Sequence, residues 1–306
     1  MSKIYLFGEC MIELSSNQSN SLNQAFAGDF FNAAVYLKRA FEQVDVRLLT
    51  AVGQDKLSDE MIQLFKQEAL GSDLVYQDPI KLAGLYWIQL DQQGERSFNY
   101  WRSDAAVRQV MKWIDAIALA ELSTSDWFFF SGISLAVIQP QDRALFWELL
   151  DKLKGAGVKI AFDPNYRHQL WNNKEEAKSH FEKAFAYSNL LLPGVDDFKT
   201  LYGITTATQV AEFCKPFNVD ELIIKNGEHG VYCVNNQQAI QIDIQAVEHV
   251  VDTTSAGDSF NGVYLGARLS GQGITDSVLL AAKAAAIVIQ HKGAIVPKHA
   301  FNLAIA

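Results

Sequence analysis

Apolar residues recur along this chain in two alternating rhythms. Short continuous runs at 4–8, 46–52, 127–130, 158–162, 189–192 and 222–224 have the length and the β-branched and aromatic content of buried strands. Between them, apolar positions three and four apart predict amphipathic helices, first through Ala34, Leu37 and Phe41, then over 55–69, 139–154 and 174–187. Two more follow, over 259–269 and 276–290, the second rich in Ala. Strand and helix in turn give an α/β fold with a mostly parallel central sheet. The rhythm breaks once. Residues 82–90 and 95–101 read as two strands flanking Asp91-Gln92-Gln93-Gly94, the composition of an antiparallel hairpin. An antiparallel insertion in an alternating chain is a candidate lid, and its second arm ends in Phe98-Asn99-Tyr100-Trp101-Arg102. No fixed-period repeat or linker divides the chain, so residues 1–306 are expected to form a single domain, with lid strands inserted at about 10–28 and 82–102.

Composition narrows the classes. A hydrophobic share of 49% and a charged share of 20% describe an ordinary globular chain. No stretch approaches the uninterrupted apolar length of a membrane span, and no signal-peptide pattern opens the chain, so a cytoplasmic protein without membrane contact is expected. Cys10, Cys214 and Cys233 are too few and too scattered for a disulfide framework, and the six histidines show no zinc-ligand spacing. The net charge is −9 and no basic run exceeds a pair, which argues against a nucleic-acid surface. Any anionic ligand must then be met by a few Arg or Lys residues gathered in a cleft.

The stretch Val251-Asp252-Thr253-Thr254-Ser255-Ala256-Gly257-Asp258-Ser259-Phe260-Asn261-Gly262 carries the strongest chemistry. Small residues fill a turn before a buried helix. Backbone N–H groups of Ser255, Ala256 and Gly257 at that helix start, together with the helix dipole, suit a phosphate. A carboxylate at Asp258 repels a phosphate unless it takes the proton of the hydroxyl that attacks it. The same residues would also serve as a plain helix cap.

Further candidates lie where strands end. Asp163, Asn165 and Arg167 follow the run 158–162, at the sheet edge where open α/β folds bind ligands. Glu9 and Glu13 follow the first run and either meet ligand hydroxyls or face solvent. Gly28 allows close approach, while Asp29 and Asn32 either grip sugar hydroxyls or cap the next helix. Lys225-Asn226-Gly227-Glu228-His229-Gly230 is most simply a hairpin turn.

Taken together and in order, Gly28-Asp29 with Asn32, Lys225-x-Gly227-x-x-Gly230 and residues 252–258 resemble the ribokinase-like family of sugar kinases, over essentially the whole chain. Within it, residues 8–14, 94–102, 165–167 and His291-Lys292-Gly293-Ala294 look most like 2-keto-3-deoxygluconate kinases. The resemblance implies a three-layer α/β/α domain with a small β-strand lid, and transfer of the ATP γ-phosphate to the 6-hydroxyl of a sugar acid. It makes Asp258 the base and Ser255, Ala256 and Gly257 the anion hole. It places Asn165, Lys225, Gly227, Gly230, Gly257 and Gly293 at the nucleotide. Gly28, Asp29, Asn32, Tyr86, Tyr100, Arg102 and Arg167 would hold the sugar acid, whose carboxylate suits an Arg fork. Mg2+ would accompany ATP, with Asp197 as the metal candidate, acting through water. Potassium near Asp252 and Thr254 stays open. A homodimer formed through lids is the implied assembly. A neutral-sugar kinase such as a fructokinase and a non-catalytic sugar or nucleotide sensor are the alternatives. Two departures stand out: Ser255 occupies a place where the family commonly has Gly, and Gly194 with Asp197 replaces an Asn-x-x-Glu pattern.

Overall fold

The computed structural model describes residues 1–16, 21–90, 96–235 and 238–305. The expected turn 91–94 lies outside them. The chain opens with β1 (Lys3–Phe7), β2 (Met11–Ser16) and β3 (Leu22–Ala27), then helix α1 (Asp29–Ala40). β4 (Asp45–Val52), α2 (Lys56–Gln67) and β5 (Gly71–Gln77) follow, then β6 (Leu85–Leu90) and β7 (Arg96–Trp101). Next come α3 (Ala116–Leu122), β8 (Trp127–Ser131), α4 (Gly132–Val137), α5 (Arg143–Gly155), β9 (Lys159–Asp163), α6 (Lys174–Tyr187) and β10 (Leu190–Leu191). The last part comprises α7 (Val195–Tyr202), α8 (Ala207–Cys214), β11 (Glu221–Lys225), β12 (Val231–Asn235), β13 (Gln238–Ile242), α9 (Ala256–Leu269), α10 (Ile274–Val288) and α11 (Lys298–Ile305).

Nine strands form one sheet in the order β13-β12-β11-β10-β9-β8-β1-β4-β5. Pairing is parallel from β11 through to β5 and antiparallel at the β11-β12-β13 edge. Because strand side chains alternate in direction, the apolar run of β8 serves both faces. Phe129 joins the core under α1, α9 and α10, while Phe128 and Phe130 join the one under α5 and α6. Helices on both faces give the expected three layers. Helix α5 starts four residues later than its periodicity predicts, because Pro140 opens a separate 3-10 turn, Pro140–Asp142.

One close packing contact positions the chemistry. A Cβ at Gly262 on α9 would stand 2.1 Å from the Ala33 carbonyl oxygen on α1, so only glycine lets the helices approach this far. Asp258, one turn earlier on α9, thereby meets Asn32 in the first turn of α1.

The remaining strands make a second sheet in the order β3-β2-β6-β7. The predicted hairpin arms pair antiparallel, from Leu85 opposite Trp101, and β2 lies parallel to β6. Phe26 and Leu85 of this sheet pack against the main core. Phe30, just past these strands, belongs to α1 and is fully buried in the body. Among the described residues no helix is long and apolar enough to cross a membrane.

Candidate active site

A cavity of about 1050 Å³ opens between the small sheet and the carboxyl ends of the main-sheet strands. The sequence-predicted residues Gly28, Asp29, Asn32, Tyr86, Tyr100, Asn165, Arg167, Asp197, Lys225, Gly227, Ser255, Ala256, Gly257 and Asp258 all line it. Gly28 earns its place sterically: a Cβ there would lie 2.1 Å from the Glu9 carbonyl oxygen.

Asp258 sits in the first turn of α9, and its Oδ2 accepts a 2.8 Å hydrogen bond from Asn32 Nδ2. Asn32 therefore orients a carboxylate as well as starting a helix. Asp29 Oδ2 accepts from the Ser131 hydroxyl and, at 3.2 Å, from Asn165 Nδ2. Burial, followed by the charge of Asp29, pushes the Asp258 carboxyl from its ordinary 3.8 up to about 7, despite the Asn32 bond. Such a carboxyl is poised to exchange a proton near neutrality. The folded chain retains a proton on Asp258 that the unfolded chain gives up, so this group's contribution to stability declines as pH rises from 3.8 to about 7. With Asp258 in the role of base that the resemblance implies, activity should rise over the upper part of the same interval, as the carboxylate forms. A pH–rate profile paired with urea midpoints checks these opposite trends, and both should vanish in Asp258→Asn.

Lys225, at the end of β11, donates to Asp163 Oδ2 at 3.1 Å and to Asn261 Oδ1 at 3.0 Å. Asn261 Nδ2 in turn donates to Asp163 Oδ2 at 2.6 Å. The ammonium is thus held near the first turn of α9, 3.9 Å from where a Gly257 Cβ would be. Asn261 and Ser131 had not been singled out from the sequence. Asn261 lies one helical turn after Asp258, a spacing that could have marked it, whereas Ser131 carries no local signal.

Two features mark the turn expected to form the anion hole. Ser255 caps α9 in the left-handed region, with φ 65°, and its buried Oγ has no partner among the described residues. The Ala256 N–H is tied to the Thr253 carbonyl by a long 3.3 Å bond rather than left free. Asp252 staples the same loop, accepting from the Thr254 and Gly293 N–H groups at 2.9 Å each.

Beside the cavity lies a slot of about 410 Å³, sharing Lys225, Gly227 and Gly257 with it. Its wall is the small-residue face of α10, Ala282, Ala285 and Ala286, with Val250 and Ile289, and Gly230 belongs to this slot alone. Such a wall suits a flat apolar ring. Gly293 lines neither space, and its backbone serves Asp252 instead.

Arg102 also departs from its expected place. It does not line the cavity: its Nε donates to Glu9 Oε2 at 2.8 Å, its Nη2 contacts the same oxygen, and the Glu9 side chain is buried while that of Arg102 is largely covered. Burial pushes the Glu9 carboxyl up, and the Arg102 charge opposes that shift. Glu9 is therefore a structural partner and not a solvent-facing residue. Arg167 remains the guanidinium on the cavity wall, with one bond from Nη1 to the neighbouring Tyr166 carbonyl at 3.0 Å.

A polar cavity centred on one orientable carboxylate, joined through a lysine and a glycine turn to a ring-sized slot, is the arrangement of a phosphotransferase. The pfkB family carbohydrate kinase model matches residues 1–300, and the chain belongs to that family. It is 37% identical to the 2-dehydro-3-deoxygluconokinase of Haemophilus influenzae, over 99% of this chain and 98% of that one. With the enzyme of the same name from Dickeya dadantii it shares 38%, over 97% of each. A fructokinase of Vibrio alginolyticus stands further off, at 28% over 86% of this chain and 82% of its own. In fold, the crystal structure of the 2-dehydro-3-deoxygluconokinase of Thermotoga maritima matches with a TM-score of 0.84 at 22% identity, covering 97% of this chain and 96% of that one.

Proposed function

We propose that this chain is an ATP-dependent kinase that transfers the γ-phosphate to the 6-hydroxyl of 2-dehydro-3-deoxygluconate, the compound also called 2-keto-3-deoxygluconate. The observation that carries the proposal is Asp258, oriented by Asn32 at the glycine turn where the sugar-sized cavity meets the ring-sized slot. In this role the Asp258 carboxylate accepts the proton of the attacking hydroxyl, and Asn32 fixes which oxygen does so. The helix start at Ser255 to Gly257 and the Lys225 ammonium stabilise phosphate charge as it moves from one oxygen to another. Asp29 holds sugar hydroxyls, with Asn165 bonded to it on the side of the nucleotide, and the small sheet closes over the sugar to exclude water.

The donor set fits a magnesium ion carried in on ATP phosphates rather than a resident metal. Among the described residues no group of three His, Cys, Asp or Glu side chains could hold an ion. Asp197, half-buried, is one of several carboxylates that line the cavity, and magnesium bound to phosphates and waters needs only one or two of them. Bound there, the ion would neutralise phosphate charge. Asp197 accepts the Tyr166 N–H at 3.0 Å, which fixes its orientation.

Arg167 is assigned to the acid's carboxylate, since Arg102 is engaged by Glu9. Arg167→Ala should raise KM for the sugar acid by roughly 10- to 150-fold, the loss of one charge-assisted hydrogen bond. KM for a neutral sugar such as fructose should hardly change, and parallel kinetics on the two substrates check this. We place the contact surface of a homodimer on the small sheet, where Leu22, Phe98 and Trp101 are exposed. The reaction itself is tested by phosphorus NMR of the product, in which coupling to two C6 protons identifies the 6-phosphate.

A further inference from the structure

Glu13 on β2 is a buried carboxylate that phosphoryl transfer, as outlined, does not use. In the parallel β2–β6 pair it stands level with Tyr86, and in the antiparallel β6–β7 pair Tyr86 stands level with Tyr100. Opposed residues on neighbouring strands point to the same face, so the three side chains form one rung across the small sheet. Tyr86 and Tyr100 line the cavity with ring centroids 5.8 Å apart. The Tyr86 hydroxyl donates its hydrogen bond to Glu13 Oε2. A phenol has one proton, and here it is committed. What the Tyr86 oxygen offers the cavity is acceptor capacity. Met11, Ala27 and Ala294 pack around Tyr86 and hold its ring in place.

We propose that Glu13 is a positioning residue that sets substrate orientation. By holding the Tyr86 proton, it makes the phenol oxygen an acceptor for one hydroxyl of the sugar acid and turns the acid's carboxylate away from the small sheet, towards Arg167. An uncommitted tyrosine would donate to a carboxylate as readily as it accepts from a hydroxyl, and would tolerate the substrate reversed end for end. The bond to Glu13 removes that option. This assignment rests on the sugar-acid reading of the cavity.

Glu13→Gln tests it, because the amide keeps the side-chain volume, removes the charge and can donate to the phenol oxygen, which releases the tyrosine proton. Steady-state kinetics would use Mg-ATP with 2-keto-3-deoxygluconate and its 4-deoxy and 5-deoxy analogues. The expected result is a rise of roughly tenfold or more in KM for the parent acid, with kcat within about twofold of wild type and KM for ATP unchanged. Tyr86→Phe should show the same rise, and the double variant no more than either single one, since both remove the same contact. One deoxy analogue, lacking the hydroxyl that Tyr86 accepts, should not distinguish Tyr86→Phe from wild type. An unchanged KM in Glu13→Gln would overturn the proposal. So would effects that multiply in the double variant, or a loss spread equally over kcat and KM for ATP. If Glu13→Gln does not fold, Tyr86→Phe decides alone, and undiminished selectivity against both analogues would then refute the role. A wild-type chain that fails to phosphorylate the acid overturns both the functional reading and this assignment. Turnover by wild type with a silent Glu13→Gln overturns the assignment only.

Discussion

Asp258→Asn should lower kcat by about 10²- to 10⁴-fold, the usual contribution of a positioned base, with KM for ATP little changed. Asn matches Asp in shape and can still meet Asn32, so the first turn of α9 should keep its geometry. What it loses is the ability to take a proton. The substitution should not destabilise the fold at pH 8, because burial and the neighbouring Asp29 already disfavour the charged form of Asp258. Single-turnover phosphate transfer and a thermal midpoint, measured on the same preparation, separate these effects. Turnover near wild type would remove Asp258 from the chemistry, while a lowered midpoint would mean that its charge supports the fold.

Arg102→Ala should cost about 3–5 kcal/mol of stability, the range found when one partner of a buried ion pair is removed. Glu9 follows β1 of the main sheet, and Arg102 follows β7 of the small one, so the pair ties the two sheets together. Its side chains are 2% and 10% exposed, which leaves little water to solvate a stranded carboxylate. Glu9 Oε1 is also pressed close to Gly84, at the foot of β6, where an added Cβ would be 2.2 Å away. Urea unfolding at constant slope measures the loss, and replacing both partners with apolar residues of similar size should recover part of it. A loss below about 1 kcal/mol, typical of an exposed pair, would show that water reaches the site. The contact with the acid that the resemblance implies for Arg102 passes, in the proposed function, to Arg167.

The alternating layers were legible because buried parallel strands and amphipathic helices leave different periods in the apolar pattern. β8 and α9 are the clearest cases. β3 and β5 were not assigned individually, since half-exposed strands such as Leu22–Ala27 and Gly71–Gln77 lack a continuous apolar run. The site was legible wherever a motif forces its own geometry. The turn before Asp258 and the approach at Gly28 depend on small residues adjacent in sequence. It was not legible where partners are distant: Ser131 is 102 residues from Asp29, Arg102 is 93 from Glu9 and Tyr86 is 73 from Glu13. Sequence spacing showed two glutamates and an arginine near strand ends. Only the pairing of β2 with β6, and of β6 with β7, decides which carboxylate meets which partner.

Initial rates of ADP formation with Mg-ATP, compared for 2-keto-3-deoxygluconate, gluconate, fructose and ribose, test the central claim most directly. The proposal predicts that kcat/KM for the keto-deoxy acid exceeds that for either neutral sugar by at least about tenfold, the margin of one charge-assisted bond, with a monophosphate of the acid as product. A higher kcat/KM for fructose or ribose would contradict the sugar-acid assignment, and no turnover of any of the four would contradict the kinase itself.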